Sequence, residues 1–182
     1  MSVPAPVPPP QPADPEVDPA AYRRAVGHFA TGVTVVTTRL GTFDHAMTAS
    51  AFTSVSLNPP MILVCVAQNA QSYETLRGAD RFAVNILGGG QESLSNRFAT
   101  KSSSAAEKFA GIGHKSGVLG LPVLDDALAH LECTTVHAYP GGDHTIFVGQ
   151  IEAGASRDGD GAEPLLYYRG RYRQLSSPGG SL

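Results

Sequence analysis

Between Val33 and Thr38 the chain runs Val-Thr-Val-Val-Thr-Thr. Branching at Cβ stiffens χ1 and suits a pleated surface, so the pattern predicts a strand. A second strand is expected from Met47 to Phe52, after a turn at Gly41, and should pair with the first. The run Met61-Ile-Leu-Val-Cys-Val-Ala67 is apolar at every position. It predicts a strand covered on both faces, with a helix or a second subunit outside. Further strands are predicted over Arg81–Leu87, Ala129–Tyr139, His144–Ala153, Leu165–Tyr168 and Tyr172–Leu175.

Helical signals are few. Asp18 offers an N-cap and Pro19 a first helical position, and Tyr22, Val26 and Phe29 then recur on one face, predicting a short helix that closes on Thr31-Gly32. Short helices are also expected over Ser72–Arg77, ended by Gly78, and over Gln91–Phe98. Many strands, few helices and no βαβ alternation predict a mainly β fold, a closed antiparallel barrel. Seven prolines between Pro4 and Pro15, with little large apolar content, predict that residues 1–17 form a disordered tail before a single domain over 18–176. Residues 177–182 are expected to be a flexible C-terminal tail.

Composition narrows the function classes. Thirteen Lys and Arg stand against 16 Asp and Glu, a formal net charge of -3, so no positive field gathers nucleic acid. The longest apolar run is far shorter than a membrane span, and no charged, apolar leader opens the chain, which predicts a soluble, cytoplasmic protein. Cys65 and Cys133 lie apart inside apolar runs and read as small buried hydrophobes, and the histidines lack metal-ligand spacing, so no metal site is expected. Gly111-Ile-Gly113-His-Lys-Ser-Gly117 is rich in glycine, but its spacing is wrong for a dinucleotide fingerprint and it reads as a loop.

Four segments carry candidate chemistry. In Met47-Thr-Ala-Ser-Ala-Phe-Thr-Ser-Val-Ser-Leu-Asn-Pro-Pro60, hydroxyls at Thr48, Ser50, Thr53, Ser54 and Ser56 crowd a strand and the turn after it. Such a segment offers neutral donors to a planar ring and a phosphate, or is simply a Ser/Thr-rich strand edge. In Gly142-Asp143-His144-Thr145 a histidine enters a strand, to face a pocket or to close a turn. Tyr167-Tyr-Arg-Gly-Arg-Tyr-Arg173 alternates aromatic and cationic groups around a glycine, suited to an anionic planar ligand or to a packed hairpin. Ser95-Asn-Arg-Phe98 places one guanidinium at the end of a short helix.

Taken together with Phe29-Ala-Thr-Gly-Val-Thr-Val-Val36 and Phe82-Ala-Val-Asn-Ile-Leu87, these segments resemble the flavin reductase family, the reductase components of two-component flavin-dependent monooxygenases. The resemblance covers Tyr22 to Leu175. It implies an FMN-binding split barrel and an NAD(P)H-dependent enzyme that reduces FMN or FAD with NADH, or with NADPH, and supplies a partner monooxygenase. It also implies a homodimer with flavin near the subunit boundary. Met47, Thr48, Ala49, Ser50, Ala51, Ser54, Val55 and Ser56 would hold the isoalloxazine edge and the phosphate, and Ser95, Arg97 and Phe98 would lie near the phosphate. His144 would be the catalytic-site group, positioning the nicotinamide without acting as an obligatory acid or base, and Tyr167, Tyr168, Arg169 and Gly170 would line the nicotinamide side. Ala46 departs from the pattern, since many relatives have glycine there. Two other readings stay open: a split-barrel flavoprotein oxidase with its own substrate, and a flavin-binding module without catalysis.

Overall fold

The computed structural model describes residues 17–101, 104–157 and 163–175, so the segments expected as tails, 1–17 apart from Val17 and 177–182, lie outside it. Among the described residues a seven-stranded antiparallel sheet runs in the order β3-β2-β6-β9-β10-β5-β4. Its strands are β2 (Thr34–Leu40), β3 (Phe43–Ala49), β4 (Phe52–Leu57), β5 (Pro60–Ala67), β6 (Arg81–Ile86), β9 (Ala129–Gly141) and β10 (His144–Ser156). The edge strands β3 and β4 are consecutive in the chain, joined only by Ser50 and Ala51. A connection that short forces the two edges together, so the sheet rolls into a barrel whose split lies between β3 and β4.

β2 is buried from Thr34 through Thr38, on both faces. Its threonines survive burial because each hydroxyl donates to a backbone carbonyl: Thr34 to Ala49 at 2.7 Å, Thr37 to Pro122 at 2.6 Å, and Thr38 to Arg81 at 2.7 Å. Successive side chains point to opposite faces. Val36 therefore joins Val64, Val66, Phe82 and Phe147 in one core, while Val33 and Val35 join Phe98, Phe109 and Leu165 in another. Each fully buried side chain of this size stabilises the fold by about 1.5–3 kcal/mol.

Two smaller sheets and four helices complete the described residues: β1 (Thr31–Gly32) with β11 (Leu166–Tyr168) and β12 (Arg171–Arg173), and β7 (His114–Ser116) with β8 (Pro122–Leu124). The helices are α1 (Pro19–Val26), α2 (Tyr73–Gly78), α3 (Glu92–Ala99) and α4 (Ala105–Phe109). No helix among the described residues is long and apolar enough to cross a membrane.

The predicted strand pairing of β2 with β3 is present. Other boundaries differ for identifiable reasons. The first helix stops at Val26, because Gly27 caps it, and Thr31–Gly32 is instead a strand held against β11. Thr53 to Ser56 are strand rather than turn, since the chain pauses at Ser50–Ala51 and resumes pairing with β5. Part of the glycine-rich loop pairs as β7. β5 is fully buried only at Ile62, Val64 and Val66, while Met61, Leu63, Cys65 and Ala67 are half-buried, so its outer face is only partly covered within one chain. Ala46 sits in regular β3, paired with Thr37, where no glycine conformation is needed.

The cysteines behave differently. Cys133 is fully buried, and burial, with Glu152 and Glu132 nearby, pushes its thiol up to about 12, while burial also raises the half-buried Cys65. Since the thiolate is the reactive form, Cys133 should resist a thiol reagent at mildly alkaline pH in the native protein and react on unfolding. Mass spectrometry after brief alkylation with and without denaturant checks this; modification of Cys133 in the native sample would contradict it.

Candidate functional site

The β3–β4 junction brings the hydroxyl-rich segment to the surface. Ser50, Ala51, Ser54 and Val55 are exposed, and Met47, Thr48 and Ser56 are half-buried. The junction is stiff because the Phe52 N–H donates to the Ser50 carbonyl at 3.1 Å and the Cys65 N–H to that of Ala51 at 3.0 Å. Ala49 is buried and acts through its carbonyl, which receives the Thr34 hydroxyl.

Beneath Met47 and Thr48 lies a cavity of about 80 Å³, walled by Ala70, Gln71 and Ser72 before α2 and by Phe98 to Lys101 at the end of α3, with Lys108 of α4. A recess of about 30 Å³ continues from it, past Gln71, Ser72 and Lys108, to His45 and Ala46. Several hydroxyls here are already donating to carbonyls: Thr48 to Ser95 at 2.6 Å, Ser72 to Ala46 at 3.2 Å, and Thr100 to Asn96 at 2.8 Å. Their lone pairs are acceptors, so the local proton donor of most consequence is the Lys108 ammonium. Burial lowers its pKa from the ordinary lysine range, and the His45 pKa falls mainly through burial. The volume suits a phosphate and not a fused three-ring system. Two open clefts elsewhere on the barrel, about 660 and 720 Å³, are larger but contain none of the predicted site residues.

The α3 segment reaches this cavity, yet its side chains are occupied differently from the expectation. Ser95 is buried, its hydroxyl receives the Tyr172 O–H at 2.9 Å, and its carbonyl receives Thr48. Phe98 is a core side chain packed edge-on against Phe109. The Arg97 guanidinium donates from Nε to the Lys108 carbonyl and from Nη2 to those of Glu107 and Ala110. It thus closes the C-terminal end of α4, where unpaired carbonyls favour a cation. Nε and Nη2 of Arg97 are thus engaged in capping α4, which leaves Nη1 for the expected phosphate contact, and Lys108 is the largely buried cation lining the cavity.

The Tyr167–Gly170 segment forms the tip of the β11–β12 hairpin. Arg169 (φ 50°) and Gly170 (φ 76°) both adopt the left-handed conformation that a tight two-residue hairpin demands. Glycine accepts it freely, whereas arginine is strained by about 1–2 kcal/mol. A hydrogen bond from the Arg169 N–H to the Gly27 carbonyl at 2.9 Å holds it, and Tyr168 meets His28 edge-on. On the other side Tyr167 packs against Tyr172, whose hydroxyl binds Ser95 and Asn96, so the hairpin is tied to α3.

His144 opens β10, opposite Ala67 of β5 and Gly141 of β9. Its Nδ1 lies 2.7 Å from Asp143 Oδ1, a contact that orients the ring and holds Asp143 below the ordinary carboxylate range through the hydrogen bond and then the charge of His144. The His144 side chain is 42% exposed. The Gln68 N–H donates to the Asp143 carbonyl, linking this turn to the loop that carries Gln71 and Ser72. Among the described residues no hydrogen bond or ring contact joins His144 to the Tyr167–Gly170 tip.

Gln71, Ser72, Lys101 and Lys108 escaped the sequence reading. Lysine followed by phenylalanine after a serine N-cap gives only a helix signal, and nothing local announces that the ammonium is buried.

Comparison with known proteins gives a consistent picture. The flavin reductase like domain matches residues 26–176. The chain is 40% identical over 171 residues to an NADH-dependent flavin reductase of a Rhodococcus species, covering 89% of each chain. It is 42% identical over 156 residues to the reductase component of a 4-nitrophenol 4-monooxygenase/4-nitrocatechol 2-monooxygenase of Rhodococcus opacus, covering 86% of this chain and 80% of that one. Among solved structures, the NADH:FAD oxidoreductase of Streptomyces globisporus superposes with a TM-score of 0.83 at 39% identity, covering 93% of this chain and 99% of the other.

Proposed function

Because the chain belongs to the flavin reductase like domain family, we propose that it is an NAD(P)H:flavin oxidoreductase, reducing FMN or FAD and supplying the reduced flavin to a partner monooxygenase. The observation that carries this reading on the chain itself is the split between β3 and β4, where an exposed run of small and hydroxyl side chains lies beside a phosphate-sized cavity containing a buried cation. The bound flavin would supply the chemistry, accepting a hydride from nicotinamide C4. The protein's residues have only to bind and orient. Ser50, Ala51, Ser54 and Val55 offer a low surface against which a flat ring can lie, and the backbone of the junction stays rigid beneath it. Tyr167 and Tyr168 wall one side, and His144, oriented by Asp143, stands on another. Holding two rings in reactive contact is worth several orders of magnitude in rate without proton transfer by the protein.

His144 and the tyrosine tip are not joined within one chain, and we place the working site at the boundary of a homodimer. Three uncovered apolar surfaces support this: Tyr22 and Val26 on α1, which buries none of its residues, with Phe29 shortly after it; the β4 edge with Val55 and Leu57; and the half-buried outer face of β5. Phe29 is 75% and Leu57 90% exposed. Free NADH and a diffusing flavin suit a soluble protein of the cytoplasm.

The reading is tested by steady-state oxidation of NADH and NADPH with each free flavin, on protein whose mass is measured by light scattering. Flavin-dependent NADH consumption by a species of twice the chain mass is expected. A monomer with full activity would remove the shared site, and no flavin-dependent oxidation would remove the reductase reading. Ser54→Leu should raise the flavin dissociation constant roughly tenfold or more, because it removes a donor and obstructs the ring. Fluorescence titration of the folded variant checks this, and unchanged affinity would take Ser54 out of the site.

A further inference from the structure

We propose that the Tyr172 hydroxyl is a positioning group for the hydride donor: it sets the β11–β12 hairpin against the flavin face and so governs how well the nicotinamide dinucleotide binds. This rests on the reductase reading above, in which Tyr167 and Tyr168 wall one side of the site. The hairpin stands apart from the seven-stranded sheet, in a three-stranded sheet of order β1-β11-β12. It is anchored where the chain enters β11: the fully buried Leu165 donates its N–H to the Leu87 carbonyl at 2.9 Å and accepts the Val33 N–H at 3.0 Å. The strand β12 is the free edge. Among the described residues, the only hydrogen bonds from β12 to anything outside the hairpin are those of the Tyr172 hydroxyl, which lies 2.9 Å from both Ser95 Oγ and Asn96 Oδ1.

Alternation along β12 makes this link possible. Arg171 and Arg173 are exposed, while Tyr172 between them is half-buried and packs against the core that holds Phe98 and Leu165. A phenylalanine ring would fill the same space, so the hydroxyl adds a tie and not bulk. The tie acts in two directions. Outward, Tyr167 pairs with Tyr172 in register and meets it edge-on at 5.4 Å, so a ring that is 38% exposed stands on the one that is held. Inward, Ser95 is fully buried on α3, and its carbonyl accepts the Thr48 hydroxyl at 2.6 Å, close to the β3–β4 junction. Tyr167, Tyr172, Ser95 and Thr48 thus form one series of contacts from the hairpin to the flavin face. The tip is held separately, by the Arg169 N–H on the Gly27 carbonyl and by Tyr168 against His28. Loss of the hydroxyl therefore frees the hairpin from α3 and leaves its own pairing, its base and its hold on Gly27 in place.

The test compares Tyr172→Phe, Asn96→Ala and the double variant with the unmodified full-length protein. Steady-state NADH oxidation at saturating FMN or FAD gives the apparent NADH constant and kcat, flavin fluorescence gives the flavin dissociation constant, and thermal unfolding gives the melting temperature. Tyr172→Phe is expected to raise the apparent NADH constant roughly three- to tenfold, with kcat and flavin affinity within about twofold of the unmodified protein. Asn96→Ala should raise it roughly two- to threefold, since Ser95 still accepts the hydroxyl, and the double variant should match Tyr172→Phe alone, because both changes remove the same tie. A tyrosine with a purely structural role would instead lower the melting temperature and the active fraction, reducing kcat and leaving the NADH constant unchanged. That result overturns the proposal, as do additive effects of the two substitutions or a flavin dissociation constant that rises as much as the NADH constant. Should Tyr172→Phe fail to fold, Asn96→Ala decides alone: a raised NADH constant at unchanged kcat supports the tie, and an unchanged constant overturns it. Absence of flavin-dependent NADH oxidation by the unmodified protein overturns the reductase reading itself.

Discussion

Replacing Glu132 with alanine is expected to destabilise the protein by about 3 kcal/mol or more, since hydrogen bonds to a charged group contribute about 1.5–3 kcal/mol each and two are lost. Glu132 lies on β9 and is fully buried. Its Oε1 accepts the Val118 N–H at 2.8 Å and its Oε2 the Leu119 N–H at 2.7 Å. The carboxylate therefore holds the turn between β7 and β8 against the barrel. Gly117, which precedes the turn, has no room for a side chain, because a Cβ there would collide with the carboxylate. Removing the carboxylate leaves two backbone donors without their acceptors and a void beneath Gly117. Glu132→Gln should cost about half as much, because an amide oxygen replaces one acceptor and an amino group faces the other donor. Equilibrium denaturation measures both, and a Glu132→Ala midpoint equal to that of the unmodified protein would show that the turn needs no buried acceptor.

His144→Ala should lower kcat/KM for NADH roughly ten- to a hundredfold, as loss of about 1–3 kcal/mol of orientation implies, and leave flavin affinity within about twofold. The imidazole is fixed by Asp143 and by the start of β10, but it donates nothing that hydride transfer requires. The change should therefore appear in the apparent NADH constant as well as in kcat, and the residual activity should be easily measured. Stopped-flow reduction of the protein–flavin complex separates the two constants. A complete loss of reduction with undiminished NADH binding would assign His144 a chemical step, and an unchanged kcat/KM would leave it as a turn residue.

Much of the fold was legible because its strands carry their own signals. Val33 to Thr38 is β-branched throughout, and Met61 to Ala67 is long enough and apolar enough to read as a strand. The hydroxyl-rich segment from Met47 to Ser56 was visible as chemistry but not as geometry. Only the rolled sheet shows that Ser50 and Ala51 connect its two edges. Short elements fixed by distant partners were not legible. β7 depends on pairing with β8 in a glycine-rich stretch, and α4 depends on Arg97, eleven residues before Lys108. Arg97 read alone looks like an anion ligand, and Lys108 looks like a solvated charge. Their surroundings differ from that reading because burial, which no local pattern encodes, falls on the lysine, and the arginine caps α4. Glu132 is similar: flanked by Leu131 and Cys133, it reads as the polar step of a strand, yet it faces a turn that needs acceptors.

Transfer of hydride from a nicotinamide dinucleotide to a flavin that the protein then releases is best measured under anaerobic conditions. Protein in catalytic amount is mixed with excess FMN or FAD and a measured quantity of NADH, and the visible band of oxidised flavin is followed. One flavin is predicted to bleach for each NADH consumed, over many turnovers per protein, with the reduced flavin passing freely through an ultrafiltration membrane. Flavin that stays oxidised beside unconsumed NADH, or bleaching that stops after one equivalent bound to the protein, would contradict it.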